Sequence, residues 1–82
     1  MVNLAFNPKF KTIFLKIKND MLKERIKKQI KKIKINPEVG KPIKYVRKGS
    51  QELYIKPFRL SYEYLPDKDM VYILDLYHKK KQ

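Results

Sequence analysis

The stretch FRLSYEYLPDKDMVYILDLY, residues 58–77, decides the fold. Phe58, Leu60, Tyr62 and Tyr64 alternate with Arg59, Ser61 and Glu63, which is the two-residue period of a strand with one apolar face. Pro66-Asp67-Lys68-Asp69 is turn chemistry, and Met70 to Tyr77 follows as a second β-rich run. Within it Val71-Tyr72-Ile73-Leu74 is apolar on both faces, the mark of a central strand covered twice. Upstream, Ile43 to Val46 and Leu53 to Lys56 read as further strands, with a loop marked by Gly40 and Pro42 and a turn at Lys48-Gly49-Ser50.

The first half of the chain has a different period. Val2, Leu4 and Phe6 alternate with Asn3 and Ala5 as a short strand, and Asn7-Pro8 supplies an N-cap followed by proline at the first helical position. Phe10, Ile13, Phe14 and Ile17 then lie on one helical face. Asn19-Asp20 caps a second helix with a stripe of Leu22, Ile26, Ile30 and Ile33, and Asn36-Pro37 stops it, because the residue before proline is steered out of the α region. Helices joined by so short a link pack as an antiparallel hairpin. The predicted architecture is α+β: an N-terminal strand, then an antiparallel helix hairpin packed on one face of a three- to four-stranded, mainly antiparallel sheet. Residues 1–82 read as one domain whose other sheet face is left for function.

Composition narrows that function. With 82 residues, the chain has room for one core and a shallow site rather than an enclosed cofactor pocket. It has no Cys and one His, which argues against a disulfide framework or a metal cage, so neither metal nor cofactor is expected. No apolar run approaches the roughly 20 residues of a membrane span, and Met1 to Lys16 lacks the order of a signal peptide. A cytoplasmic protein without a membrane partner is expected. Twenty-one Lys and Arg against eight Asp and Glu give a formal charge of +13, suited to a polyanion and equally to a solubilising surface. Residues 1–34 carry +9 of that charge, on the helix hairpin.

Three kinds of residue in the sheet half can carry chemistry. Arg59 is one of only three arginines and lies inside a strand, where a guanidinium can clamp two phosphate oxygens. The alternative is a cross-strand pair with Glu63, Glu52 or Asp75. His78 is the only side chain titrating near neutrality, and it is followed by Lys79-Lys80-Lys81; general acid-base work and plain exposure are both open to it. Of six tyrosines, Tyr54 and Tyr77 are the candidates for base stacking, whereas Tyr62, Tyr64 and Tyr72 read as core.

Three strings resemble the RelE/ParE family of toxins from type II toxin-antitoxin pairs. They are Phe6-Asn7-Pro8-Lys9-Phe10-Lys11, then Ile33 to Pro42 with its Asn36-Pro37 and Gly40-Lys41-Pro42, and finally Glu52-Leu53-Tyr54-Ile55 through Phe58-Arg59-Leu60-Ser61-Tyr62 to Ile73-Leu74-Asp75-Leu76-Tyr77-His78-Lys79. The resemblance implies a metal-independent endoribonuclease that cuts mRNA in the ribosomal A site by attack of the ribose 2′-hydroxyl on the adjacent phosphate. It implies Arg59 as the phosphate ligand and His78 as the counterpart of a C-terminal His in YoeB-like and HigB-like members. Where the family's basic residues are lacking, Lys56 and Lys79 are the cations left to support the phosphate, with Tyr54 and Tyr77 as the substrate-binding aromatics. The implied partners are the ribosome, mRNA and an antitoxin, which charge complementarity would make acidic. Glu52 and Tyr54 stand where such members alternate basic residues, and a C-terminal Tyr or basic helix is missing before Gln82. These departures support the alternative of a non-enzymatic ParE-like gyrase inhibitor, or an inactive homologue that only binds its antitoxin.

Overall fold

A computed structural model describes residues 2–42 and 50–78. Strand β1 (Asn3–Phe6) leads into helices α1 (Pro8–Lys16) and α2 (Asp20–Ile35), followed by strands β2 (Lys41–Pro42), β3 (Ser50–Ile55), β4 (Phe58–Leu65) and β5 (Met70–His78). They form one five-stranded sheet in the order β1-β5-β4-β3-β2. Every pairing is antiparallel except β1 with β5, which is parallel. A parallel pair needs a crossover, and the helix pair begins the long return. The predicted α+β class is therefore what the chain adopts.

Local signals act where the sequence places them. The Asn7 side chain accepts from the Lys9 amide at 2.8 Å with Pro8 opening α1, and Asn19 accepts from Leu22 at 3.1 Å. Helix α1 ends at Lys16, one residue short of the predicted stripe, and Ile17 turns extended while still packing on the core. Asn7 also donates from its amide to the Tyr72 hydroxyl at 3.3 Å, tying the cap to the sheet. Asn7→Ala is expected to cost about 1 kcal/mol, lowering the melting temperature by about 4 to 8 °C in a thermal circular-dichroism scan.

The hairpin packs on one sheet face. Phe10 of α1 and Ile26 and Ile33 of α2 close over Ile55, Leu60, Tyr62, Val71, Ile73 and Leu76. Between the helices lies an apolar groove of about 410 Å³, lined by Phe6, Phe10, Phe14, Leu15 and Ile30, with Lys11 and Lys27 beside it. Lys23 stands over the Phe14 ring at 5.4 Å. No helix among the described residues is long and apolar enough to cross a membrane.

Three expectations need correction. Pro42, read from sequence as part of a loop, ends strand β2 and pairs with Gln51, while the strand predicted at Ile43 to Val46 and the Lys48-Gly49 part of the turn lie outside the described residues. Pro42 is tolerated there because, among the described residues, β2 is an edge strand. Lys56, placed at the end of a strand, is in the turn that joins β3 to β4. The double cover predicted for Val71-Tyr72-Ile73-Leu74 is not found: Val71 and Ile73 are fully buried under the helices, whereas Tyr72 and Leu74 are half-buried. The described helices cover one sheet face only, and a bulge follows directly after Ile73. Ser61 pairs with Asp75 but Tyr62 pairs with Ile73, which leaves Leu74 as the extra residue and reverses the facing of everything after it.

Candidate functional site

The site follows from that register. Directly paired residues share a face, so Arg59, its partners Tyr54 on β3 and Tyr77 on β5, and Glu52 opposite Ser61 all lie on the face away from the helices. Glu52 joins them. Its Oε1 accepts from the Arg59 guanidinium at 3.0 Å and its Oε2 from the Tyr77 hydroxyl at 2.8 Å. The Arg59 and Glu52 side chains are 26% and 22% exposed, so the pair is screened from solvent yet reachable from it. A concavity of about 350 Å³ opens beside them, lined by Val39, Lys41, Glu52, Leu53, Tyr54 and Arg59.

The candidates from sequence are thus only partly brought together. Arg59, Tyr54 and Tyr77 converge, and Tyr54 is more than half exposed. His78 does not join them. It pairs with Phe58, and their rings meet edge to face at 5.6 Å on the helix side of the sheet. Lys56 is exposed in its turn, and Lys79 lies outside the described residues. Of the three carboxylates offered as partners for Arg59, Glu52 is the one that pairs with it; Asp75 pairs with Lys9 at 3.2 Å. Lys41 could not be placed at this site from sequence, because its position depends on β2, nor could the Glu52–Tyr77 bond, because the bulge sets the face of Tyr77.

A second polar cluster holds the edge of the site. Tyr62 is fully buried, as its reading as core requires, but its hydroxyl is within 2.9 Å of the Gly40 amide, 2.8 Å of the Pro37 carbonyl and 2.9 Å of Gln51 Oε1. The phenol has one proton for two acceptors. With the Gln51 amide turned over, its NH₂ donates and all three contacts are satisfied. Burial pushes the Tyr62 phenol above its ordinary value; the Gly40 amide opposes the rise and the Glu38 carboxylate adds to it.

Comparison with known proteins follows the same lines. A family described as the ParE toxin of type II toxin-antitoxin systems matches residues 4–82. No curated protein sequence matches the chain. Among solved structures, a chain of the intact E. coli RelBE toxin-antitoxin complex is 16% identical, with a TM-score of 0.83 over 95% of this chain and 96% of that one. A YoeB/ParE toxin from Agrobacterium tumefaciens is also 16% identical, at 0.81 over 93% and 96%. A chain of the archaeal RelE-RelB complex from Pyrococcus horikoshii OT3 is 11% identical, at 0.78 over 99% and 98%. At these identities the structural likeness is one of fold.

Proposed function

The chain belongs to the ParE toxin family of type II toxin-antitoxin systems, and we propose that it is a cytoplasmic, ribosome-dependent mRNA endoribonuclease controlled by an acidic antitoxin. The observation that carries this reading is Arg59, held between Tyr54 and Tyr77 on the sheet face away from the helices, beside a concavity large enough for a nucleotide phosphate. Its guanidinium would hold the scissile phosphate while the 2′-hydroxyl, losing its proton to water, attacks phosphorus and the bond to the 5′-oxygen breaks. Tyr54 would stack a base. Tyr77, on the face of Arg59, is better placed than His78 to donate a proton to the leaving 5′-oxygen. Lys56 and Lys79 would be supporting cations, and no metal enters the reading.

The test is 5′-end mapping on translated mRNA with wild type, Arg59→Ala, Tyr77→Phe and His78→Ala. Loss with the first two and retention with the third is the expected pattern; equal cleavage in all, or none in any, sinks the nuclease. A second reading, a non-enzymatic gyrase inhibitor or an inactive antitoxin binder, is favoured by the occupation of Arg59 by Glu52 and by the separate face of His78. Inhibition of gyrase supercoiling by added protein, without mRNA cleavage, would select it.

For the antitoxin, the apolar groove between α1 and α2, flanked by Lys11 and Lys27, suits an amphipathic segment with acidic edges. Leu15, 75% exposed at that groove, is its accessible apolar wall. Leu15→Glu is expected to weaken the antitoxin complex about tenfold, or about 1.4 kcal/mol, by isothermal titration with the cognate antitoxin. Unchanged affinity would place the antitoxin elsewhere.

A further inference from the structure

We infer that Glu52 is an internal ligand of the Arg59–Tyr77 site, its carboxylate standing where a phosphate would bind and yielding before one can. The inference rests on the reading of Arg59 as a phosphate ligand, and it adds what that reading lacks, the state of the site at rest. Two donors from two different strands meet two different oxygens of one anion: Arg59 from β4 reaches Oε1 at 3.0 Å and Tyr77 from β5 reaches Oε2 at 2.8 Å. Two non-bridging oxygens of a phosphodiester present the same pattern.

An ordinary cross-strand ion pair explains less. It would need the Arg59 contact alone, whereas here the carboxylate is shared with a phenol on the strand beyond and borders the concavity that contains Lys41. Lys41 is the register partner of Glu52 on β2, so a displaced carboxylate turns toward a second cation rather than into an apolar wall. Phosphate binding is therefore an exchange of anions. Arg59 stays ordered while the site is empty of substrate, and free phosphate competes poorly against a tethered carboxylate already in place.

The experiment titrates inorganic phosphate, at constant ionic strength, into the full chain and follows the Arg59 side-chain and Tyr77 amide resonances by NMR. Glu52→Gln removes the internal anion with little change of shape, and phosphate is expected to bind about tenfold more tightly than to wild type. Glu24→Gln makes the same change of charge on α2, where Glu24 pairs with Lys27 at 3.5 Å, and is expected to leave the affinity unchanged. Should Glu52→Gln fail to fold, Glu52→Asp draws the carboxylate back by one methylene and is expected to tighten binding about threefold. Unchanged affinity in whichever Glu52 variant folds, or equal tightening in Glu24→Gln, overturns the inference. Tightening without mRNA cleavage by any variant upholds it and removes the nuclease; cleavage by wild type without tightening does the reverse.

Discussion

Arg59→Lys is expected to slow mRNA cleavage by about 10²- to 10³-fold, the equivalent of roughly 3 to 4 kcal/mol in the barrier, with the melting temperature shifted by no more than about 8 °C. The two effects separate because the substitution keeps the charge and removes the geometry. A lysine can still pair with Glu52, and an ion pair about a quarter exposed contributes at most about 1 kcal/mol to stability. It cannot present two parallel N–H groups to two oxygens, which is what a phosphate gaining charge in the transition state requires. Single-turnover 5′-end mapping in a translating extract gives the rate, and circular dichroism gives the melting temperature. Wild-type cleavage by the lysine variant would mean that Arg59 acts only through its charge and not through a two-oxygen grip on the phosphate.

How far such a site can be read from sequence is decided by one residue. Strict alternation from Val71 puts Ile73, Asp75 and Tyr77 on the helix side and Leu74, Leu76 and His78 on the other, which would place His78 on the face of Arg59. The extra residue at Leu74 reverses that order: Leu76 enters the core, Tyr77 moves to the face of Arg59 and His78 turns to Phe58. A bulge of this kind leaves no mark in a run as uniformly apolar as Val71-Tyr72-Ile73-Leu74, since either phase buries carbon. The helices were legible because each start is written twice, in an asparagine cap and in the apolar stripe behind it. Strand β4 was legible because its alternation is complete from Phe58 to Tyr64. The Arg59–Glu52 pair was one of three legible possibilities, and choosing among them required knowing which strands are neighbours.

The junction at residues 36–42 shows the same limit from the side of stability, and it carries the second large expected effect. Tyr62→Phe is expected to destabilise the fold by about 2 to 3 kcal/mol, a fall of roughly 10 to 20 °C in melting temperature. The ring would still fill its place, but the Gly40 amide and the Pro37 carbonyl would lose the oxygen that joins them at 2.9 and 2.8 Å. Gly40 is fixed by the same atom, since a Cβ there would stand 2.7 Å from the Tyr62 hydroxyl and 2.9 Å from both the Glu52 carbonyl and Tyr62 Cε1. Gly40→Ala should therefore cost about 1 to 3 kcal/mol, and the double variant less than the two together, because one of the three close contacts disappears with the hydroxyl. Titration gives an independent check. Burial holds the folded phenol above the ordinary value of 10.0, so below about pH 10 both states keep the proton and the contribution is complete. Above it the unfolded chain ionises first, and the advantage of wild type over Tyr62→Phe should shrink as pH rises through the folded value. Because the Glu52 carbonyl is one wall of the Gly40 contact and Lys41 is paired opposite Glu52, a loosened junction should also disturb the resonances of Arg59. A Tyr62→Phe chain that melts like wild type, with a stability difference flat across pH 9 to 11, would show that the phenol fills space at this junction without holding it.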